Sequence, residues 1–525
     1  MGKLDSDFKH TCKLLFGKEI GELSDFEQYF KQGMFPSKSM RSMVSGKGVL
    51  VSSPHYPEGA KYVSQDEVGK LSSPAFGIND IKDVDSLFRA AQENAVFCGN
   101  KMFGKNMNTE EVDNCADCIE VLHSHNITNT KYAAYCSVGR DSNSIYGVHF
   151  FKNVSHSLSC MHCLVRGVTR CFECYCTTGI SDSYYTLNCS GCSNCIFCFN
   201  LRSKNYAIGN LQLSKERYLE LKEKLVMEMA DILRKKKRIF SIADLFPKEN
   251  SGKSSSGGIA SEREEIPEFA KADFAATAKI VLSKPHDVSG RTASWLSKRM
   301  LEVRRIERAD GTAYWVDLPV LGKIPASCLV SLQKALDSGK NHIEIPDDGI
   351  PSLSEVRKRV EKIAVSSLEV VEGQVQNCVD CVSRFDSASC YKIWAATGAK
   401  HSAFHTAVTE SEYIFGGYFR TLYSRFCIDC DNVTSVSNCF GCDSCYSCRN
   451  CYFCHNCEKV EEGIFCFNLK GARYAVLNRE VSQKEYKQVK RLLLDYVNSE
   501  IEKKGGLDFD IFDIGTGKYD IGRAI

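Results

Sequence analysis

Two stretches of the chain carry apolar residues at a step close to twelve. In the first, an apolar or aromatic side chain follows a small polar one at Ile145, Leu158, Phe172, Tyr184, Ile196 and Tyr206. In the second it does so at Tyr413, Phe426, Phe440, Tyr452, Ile464 and Tyr474, and both series step by 13, 14, 12, 12 and 10 residues. Segments such as 183–186 and 450–454 are too short and too polar at their edges for helices, and suit short strands between turns. A nearly constant step stacks each rung on the last and predicts a parallel β-solenoid of about 12 residues per rung. Beyond each series the period changes to that of a helix. Leu221, Leu225 and Met229, and likewise Val489, Leu493 and Tyr496, fall on one helical face. Ser214 and Ser482 are the predicted N-caps, with Leu213/Tyr218 and Val481/Tyr486 as hydrophobic staples. These helices are expected to cover the open end of each solenoid, which would otherwise expose unpaired backbone.

The two stretches read as copies of one unit. Cys198-Phe-Asn-Leu201 followed by Tyr206 recurs as Cys466-Phe-Asn-Leu469 followed by Tyr474, an offset of 268 residues that also maps Cys171 to Cys439 and Tyr218 to Tyr486. Upstream, Asn114-Cys115-Ala-Asp117-Cys118 matches Asn377-Cys378-Val-Asp380-Cys381 at an offset of 263. A stretch of glycine, serine and charge at 248–265 predicts a flexible linker. The expected organisation is an N-terminal α+β region (1–112), a first cysteine-rich solenoid (113–212) and a capping helix with tail (213–247). After the linker come a second α+β region (266–376), a second solenoid (377–480) and a capping helix with C-terminal tail (481–525). The predicted class is mainly β with flanking α. In the second α+β region a hairpin is expected over 301–318, turning at Asp310-Gly311.

Composition changes this picture in one respect, the 28 cysteines. The first residues have no apolar core of the signal-peptide kind and no run approaches 18 apolar residues, so the chain is expected in the cytoplasm without a membrane span. In a reducing compartment such a count points to metal ligation or to buried thiols rather than disulfides. Stacked rungs would align Cys430, Cys442, Cys454 and Cys466 in one ladder, Cys427, Cys439 and Cys451 in another, and Asn438 with Asn450 in an amide ladder. Lys+Arg 67 against Asp+Glu 65 excludes a broad basic footprint for nucleic acid, leaving only local clusters.

The leading chemical candidate is a pair of four-cysteine sets, Cys160, Cys163, Cys171 and Cys174 in the first copy, and Cys427, Cys430, Cys439 and Cys442 in the second. Two Cys-x-x-Cys hooks on adjacent rungs approach the donor set of a structural zinc site. Zinc is the expected metal, and an iron–sulfur cluster is the alternative because it uses the same ligands. Cys115 with Cys118, and Cys378 with Cys381, are weaker metal candidates, each at a solenoid entrance. Arg234, Lys235, Lys236, Lys237 and Arg238 end a helix and are candidate nucleic-acid contacts, which Arg299, Arg304, Arg305 and Arg308 could extend. His123/His125 and His401/His405 sit in different registers and lack a carboxylate signature, and no nucleotide-binding or nucleophile-elbow motif occurs. No residue is singled out as catalytic.

The stretch Cys192-Ser-Asn-Cys195-Ile-Phe-Cys198-Phe-Asn-Leu201, running on through Tyr206 to Ser214 and Tyr218, resembles the uncharacterised cysteine-repeat proteins of environmental prokaryote genomes. Those share Asn-Cys-aromatic-x-Cys rungs, then Asn-Leu, a tyrosine-containing strand and a Ser-x-x-x-Tyr helix start. The resemblance covers roughly 70 to 100 residues of each copy and carries no activity with it; the second copy departs from it in having Gly463 at the position of Cys195. The expected function is a non-enzymatic, zinc/thiolate-stabilised scaffold or interaction protein with a protein partner. The alternatives are a metal-handling or thiol-redox protein such as an iron–sulfur scaffold, and a nucleic-acid-associated factor acting through the basic clusters.

Overall fold

In the computed structural model, which describes residues 2–71, 81–163, 167–248, 265–347 and 349–516, the backbone of both strand-rich stretches turns a corner every third residue. From Asn438 to Leu477 each third residue has φ between 49° and 63°. This left-handed conformation costs an L-residue roughly 1–2 kcal/mol, least for asparagine, which occupies the corners at 438, 450, 456 and 468. Four three-residue sides make a 12-residue rung. Parallel partners are accordingly twelve apart, as in Cys171↔Ser183, Tyr184↔Ile196, Phe440↔Tyr452 and Tyr452↔Ile464. Longer steps occur at Leu158↔Phe172 and Phe415↔Ile428. The uneven tail of the sequence series is an assignment error: Ile196 pairs with Ile208, and Ile464 with Val476, rather than with the tyrosines two residues earlier.

Each rung has two kinds of side chain. The residue after a corner points inward, and these inward residues form cores of cysteine, valine, alanine and isoleucine, such as Cys442, Cys445, Cys448 and Cys451 around one rung. The large apolar residues do not share that interior. Phe415, Ile428, Phe440, Tyr452, Ile464 and Val476 belong to a separate core together with Phe274, Val281, Leu296 and Leu493 of helices. The helices are therefore integral to the fold, because the outer face of the strands is too apolar to meet water.

The expectation of a mainly β tandem solenoid with capping helices is corrected on these grounds. The chain is mixed α/β, with 28% of residues helical against 37% in strands, and has two 13-stranded sheets rather than a simple parallel β-solenoid. In the first sheet Ser137–Tyr146, His149–Lys152, Met161–Cys163, Val168–Thr177 and Val154–Leu158 pair in that order. The last closes back on the first, a ring of five parallel strands. Both sheets end in an antiparallel pair, Ile208↔Leu211 and Val476↔Arg479. The chain then enters the helices Lys215–Lys236 and Gln483–Lys504, with Ser214 and Ser482 accepting from Arg217 N–H and Glu485 N–H as N-caps.

The chain forms two compact units whose segments alternate along the sequence. The first comprises Met1–Phe35, Met102–Glu262 and Glu302–Val370; the second comprises Pro36–Lys101, Arg263–Leu301 and Val371–Ile525. Each region expected ahead of a strand stack, 1–112 and 266–376, is thus divided between the units. In the first unit the helix Gly2–Phe16 lies on the sheet, with Phe16 against Phe172 and Tyr184 Oη donating to Leu15 O at 2.5 Å. In the second the helix Glu268–Val281 does the same, with Phe274 against Phe415 and Tyr452 Oη donating to Val281 O at 2.8 Å. Corner asparagines anchor the inserted segments: Asn200 Nδ2 donates to Val365 O in the first unit, and Asn468 Nδ2 to Val96 O in the second, each at 2.8 Å. The expected hairpin forms from Val303–Arg308 and Gly311–Val316. The predicted linker lies almost wholly outside the described residues.

Because each half of the sequence supplies a buried segment to the unit built mainly by the other, cutting the chain should not separate the halves. A specific protease site placed within 249–264 and cleaved under native conditions should leave two fragments that co-elute in gel filtration and part only in denaturant. Separation in native buffer would contradict this arrangement.

Candidate functional site

The cysteines follow from the rung geometry. With three residues per side, inward positions recur as i, i+3, i+6, so Cys-x-x-Cys is the spacing of adjacent sides. Each inward thiol approaches the carbonyl two residues earlier, and most approach a carbonyl of the next rung. Cys174 Sγ is 3.4 Å from Phe172 O and from Ser183 O, and Cys442 Sγ is 3.6 Å from Phe440 O and 3.4 Å from Cys451 O. Serine takes the same place. Ser183 stands between Cys171 and Cys195 in one column, and its Oγ donates to Ser181 O at 2.7 Å while accepting from Cys195 N–H. Cys171 and Cys195 approach Thr169 O and Ser193 O in the same way, each at 3.4 Å. These are contacts of a protonated donor. Burial pushes the Cys136 thiol up to about 12, whereas at Cys174, Cys445 and Cys454 hydrogen bonds from neighbouring thiols outweigh burial and lower the thiol's pKa.

All 28 cysteines are free thiols, buried except for the half-buried Cys378. The two expected metal sets differ in register. In the first copy a longer step places Cys163 beside Thr177 and Cys171 beside Ser157, so the two hooks are offset by one side. In the second, Cys427 pairs directly with Cys439, and Cys430 lies twelve residues before Cys442. Rungs stack about 4.8 Å apart, wider than the roughly 3.8 Å between sulfurs of tetrahedral zinc. Among the described residues no group of three or more His, Cys, Asp or Glu side chains is arranged to hold a metal ion. Cys115, Cys118, Cys378 and Cys381 likewise sit at 3.3–3.5 Å from the carbonyl two residues earlier. In both sets the thiols contact neighbouring carbonyls and one another. Gly463 fits the same view, because a Cβ there would lie 3.2 Å from Cys451 Sγ and 3.3 Å from Cys454 Sγ.

Of the basic cluster, Arg234, Lys235, Lys236 and Arg238 are exposed. Lys237 is the left-handed C-cap of its helix and pairs with Asp25 at 2.7 Å. Arg299 and Arg308 do not extend it. Arg308 donates to Leu329 O and Ala326 O, and Arg299 is buried. The histidines have structural partners: His123 pairs with Glu111, His125 with Phe35 O, His401 with Asp273, and His405 with Thr421 and Cys430 O.

Sequence reasoning missed a buried polar network in the second unit. Asp431, Asp443 and His455 follow Cys430, Cys442 and Cys454 on successive rungs and pair in register. The repeat of a polar residue after cysteine at a step of twelve was the readable signal. His455 Nδ1 meets Asp443 Oδ2 at 2.8 Å, Tyr56 Oη donates to the same oxygen at 2.5 Å, and Cys98 N–H donates to His455 Nε2 at 2.8 Å. One rung away, Arg299 donates to Asp429, Asp431 and Asp510 at 2.6, 3.0 and 2.7 Å. Burial and the neighbouring carboxylates Asp429 and Asp443 push Asp431 up to about 7 despite Arg299. Asp510 is equally desolvated, yet Arg299 and Lys298 hold it well below the usual carboxylate range. The first unit also buries carboxylates, Asp113, Glu120, Glu173 and Glu369 among them. Glu173 accepts from Tyr29 Oη at 2.7 Å and from Ile242 N–H at 2.9 Å, and desolvation raises it to about 8.

Comparison of the chain with protein-family models, with curated proteins and with solved structures finds no match. No helix among the described residues is long and apolar enough to cross a membrane.

Two outcomes follow from these buried charges. Replacing Arg299 with Met leaves Asp429 and Asp431 buried without their cation and should destabilise the second unit by about 3–5 kcal/mol, read by denaturant unfolding. Glu173 has its folded pKa raised from 4.5 to about 8. Below pH 4.5 both states are protonated and nothing is lost; between there and pH 8 only the unfolded state ionises. Stability should therefore fall by a few kcal/mol over that window and level off above it. The Glu173→Gln variant should lose that part of the slope, and an unchanged slope would contradict the assignment.

Proposed function

We propose that this chain is a non-enzymatic scaffold or interaction protein whose thiols serve the architecture. The observation that supports this most directly is the exchange of serine for cysteine within one column, with the same carbonyl contact at each position. A thiol that serine replaces in place is acting as a small hydrogen-bonding side chain. In the second unit His455 is held by Asp443 and Cys98 N–H, and Arg299 by three carboxylates. What remains available to a partner is the outside of the two units, where stacked elements offer extended surfaces. In this reading the stability that zinc would have provided comes from the thiol columns, the corner amide pairs such as Asn438–Asn450 (3.1 Å), and the helices over the outer aromatic face.

Replacing Cys445 with Ser should cost no more than about 1.5 kcal/mol and should leave intact any stoichiometric assembly recovered by cross-linking in cells. Protein purified without added metal should contain well under one zinc or iron per chain, with a melting temperature indifferent to chelators. Two metal equivalents, one of them lost in Cys171→Ser, would overturn the packed-thiol reading. Loss of a measurable turnover in a folded Cys→Ser variant would overturn the non-enzymatic one.

A further inference from the structure

The first unit carries an open groove of about 470 Å³, within the size range of small-ligand clefts. It is lined by Phe246 and Trp315 together with Lys248, Arg304, Lys323 and Asp244. Three cations face one carboxylate. Among the described residues neither Lys248 nor Lys323 forms an ion pair, whereas Arg304 pairs with Glu302 at 2.7 Å. The Arg304 guanidinium lies over the indole of Trp315, 4.5 Å from its centroid, and Trp315 Nε1 donates to Gly322 O at 3.1 Å. The indole is thus fixed in orientation and partly exposed at the groove. The chain reaches this groove directly from the helix end bearing exposed Arg234, Lys235, Lys236 and Arg238, since Ala243–Lys248 line it. Arg357 bridges the intervening stretch, stacking on Phe240 at 4.6 Å and donating to Asp244 O.

A fixed, half-exposed indole flanked by a stacked guanidinium, with unpaired lysines a short distance along, matches one ligand chemistry: a planar base joined to a phosphate. We propose that the groove binds a nucleotide unit, its base stacking on Trp315 and Arg304 and its phosphate meeting Lys248 and Lys323. This goes beyond the scaffold reading and gives one face of the first unit a defined partner. The nucleotide is supplied free or as part of a single strand, in which case neighbouring phosphates reach toward Arg234–Arg238.

Trp295 and Trp394 are buried, so quenching of tryptophan fluorescence by an added ligand reports Trp315. The full chain is titrated with three probes: a single-stranded oligouridylate of about ten nucleotides, adenosine monophosphate, and base-free inorganic polyphosphate. Quenching by the oligonucleotide is expected, with affinity lowered roughly ten- to hundredfold in Trp315→Ala, followed by anisotropy of a labelled strand. Lys248→Gln with Lys323→Gln should reduce the slope of log affinity against log salt by about 1.4. Both variants alter surface side chains, and circular dichroism checks their fold. Saturable quenching by adenosine monophosphate with the same variant sensitivity supports the site and assigns it to free nucleotide. Absence of quenching by both nucleotide probes at about 1 mM, or equal binding of polyphosphate that ignores Trp315→Ala, overturns the proposal.

Discussion

A left-handed corner every third residue is the constraint on which the rest of this molecule depends. A chain that must turn so often cannot extend a strand far, so its backbone groups find partners only in the rung above or below. That requirement makes the pairing parallel and sets the twelve-residue register seen from Tyr184↔Ile196 to Tyr452↔Ile464. It also decides composition. Corners tolerate asparagine and glycine best, and stacked corner asparagines then bond one another, as Asn188 with Asn200 and Asn456 with Asn468.

The narrow rung interior explains the cysteines. Four inward positions converge on one axis, leaving room for side chains no larger than valine or isoleucine over most of the stack. Cysteine fills that volume, is apolar enough to bury, and still reaches a backbone carbonyl. The tolerance has a limit at Gly463, where the adjacent thiols leave no comfortable space for a Cβ. Aromatic bulk is displaced to the outside, and this obliges the helices Gly2–Phe16 and Glu268–Val281 to lie along the sheets. Tyr184 and Tyr452, 268 residues apart, tie the ends of these helices by the same hydroxyl-to-carbonyl bond.

Charge is treated differently in the two units. The second buries Arg299 among three carboxylates and sets His455 between Asp443 and Cys98. In the first, Glu173 is buried against a tyrosine and a backbone amide, and Asp113, Glu120, Arg140 and Glu369 are buried as well. Burying ions adds little net stability while making any misplacement expensive. The inserted segment carrying Tyr56 and Cys98 completes the network of the second unit.

Much of the local structure was written in the residue pattern: the near-twelve step, the serine N-caps at 214 and 482, the helical faces beyond them, and the Asp310-Gly311 turn. These are legible because they depend on neighbours a few residues away, where backbone sterics and side-chain period act directly. Three things were decided only by the tertiary structure. Inward and outward residues cannot be told apart in the sequence, since a three-residue side hides the ordinary alternation of a strand, and the pattern alone gives the helices only the role of end caps. Cys-x-x-Cys carries two readings in sequence, because rung sides and zinc ligands share that spacing; the tertiary structure adds the carbonyl contact each thiol makes. The alternation of segments between the units, and the gathering of Arg299, Asp429, Asp431 and Asp510, join residues up to 211 positions apart. Nothing local encodes such pairings; they follow from which buried charge finds its complement once the chain is folded.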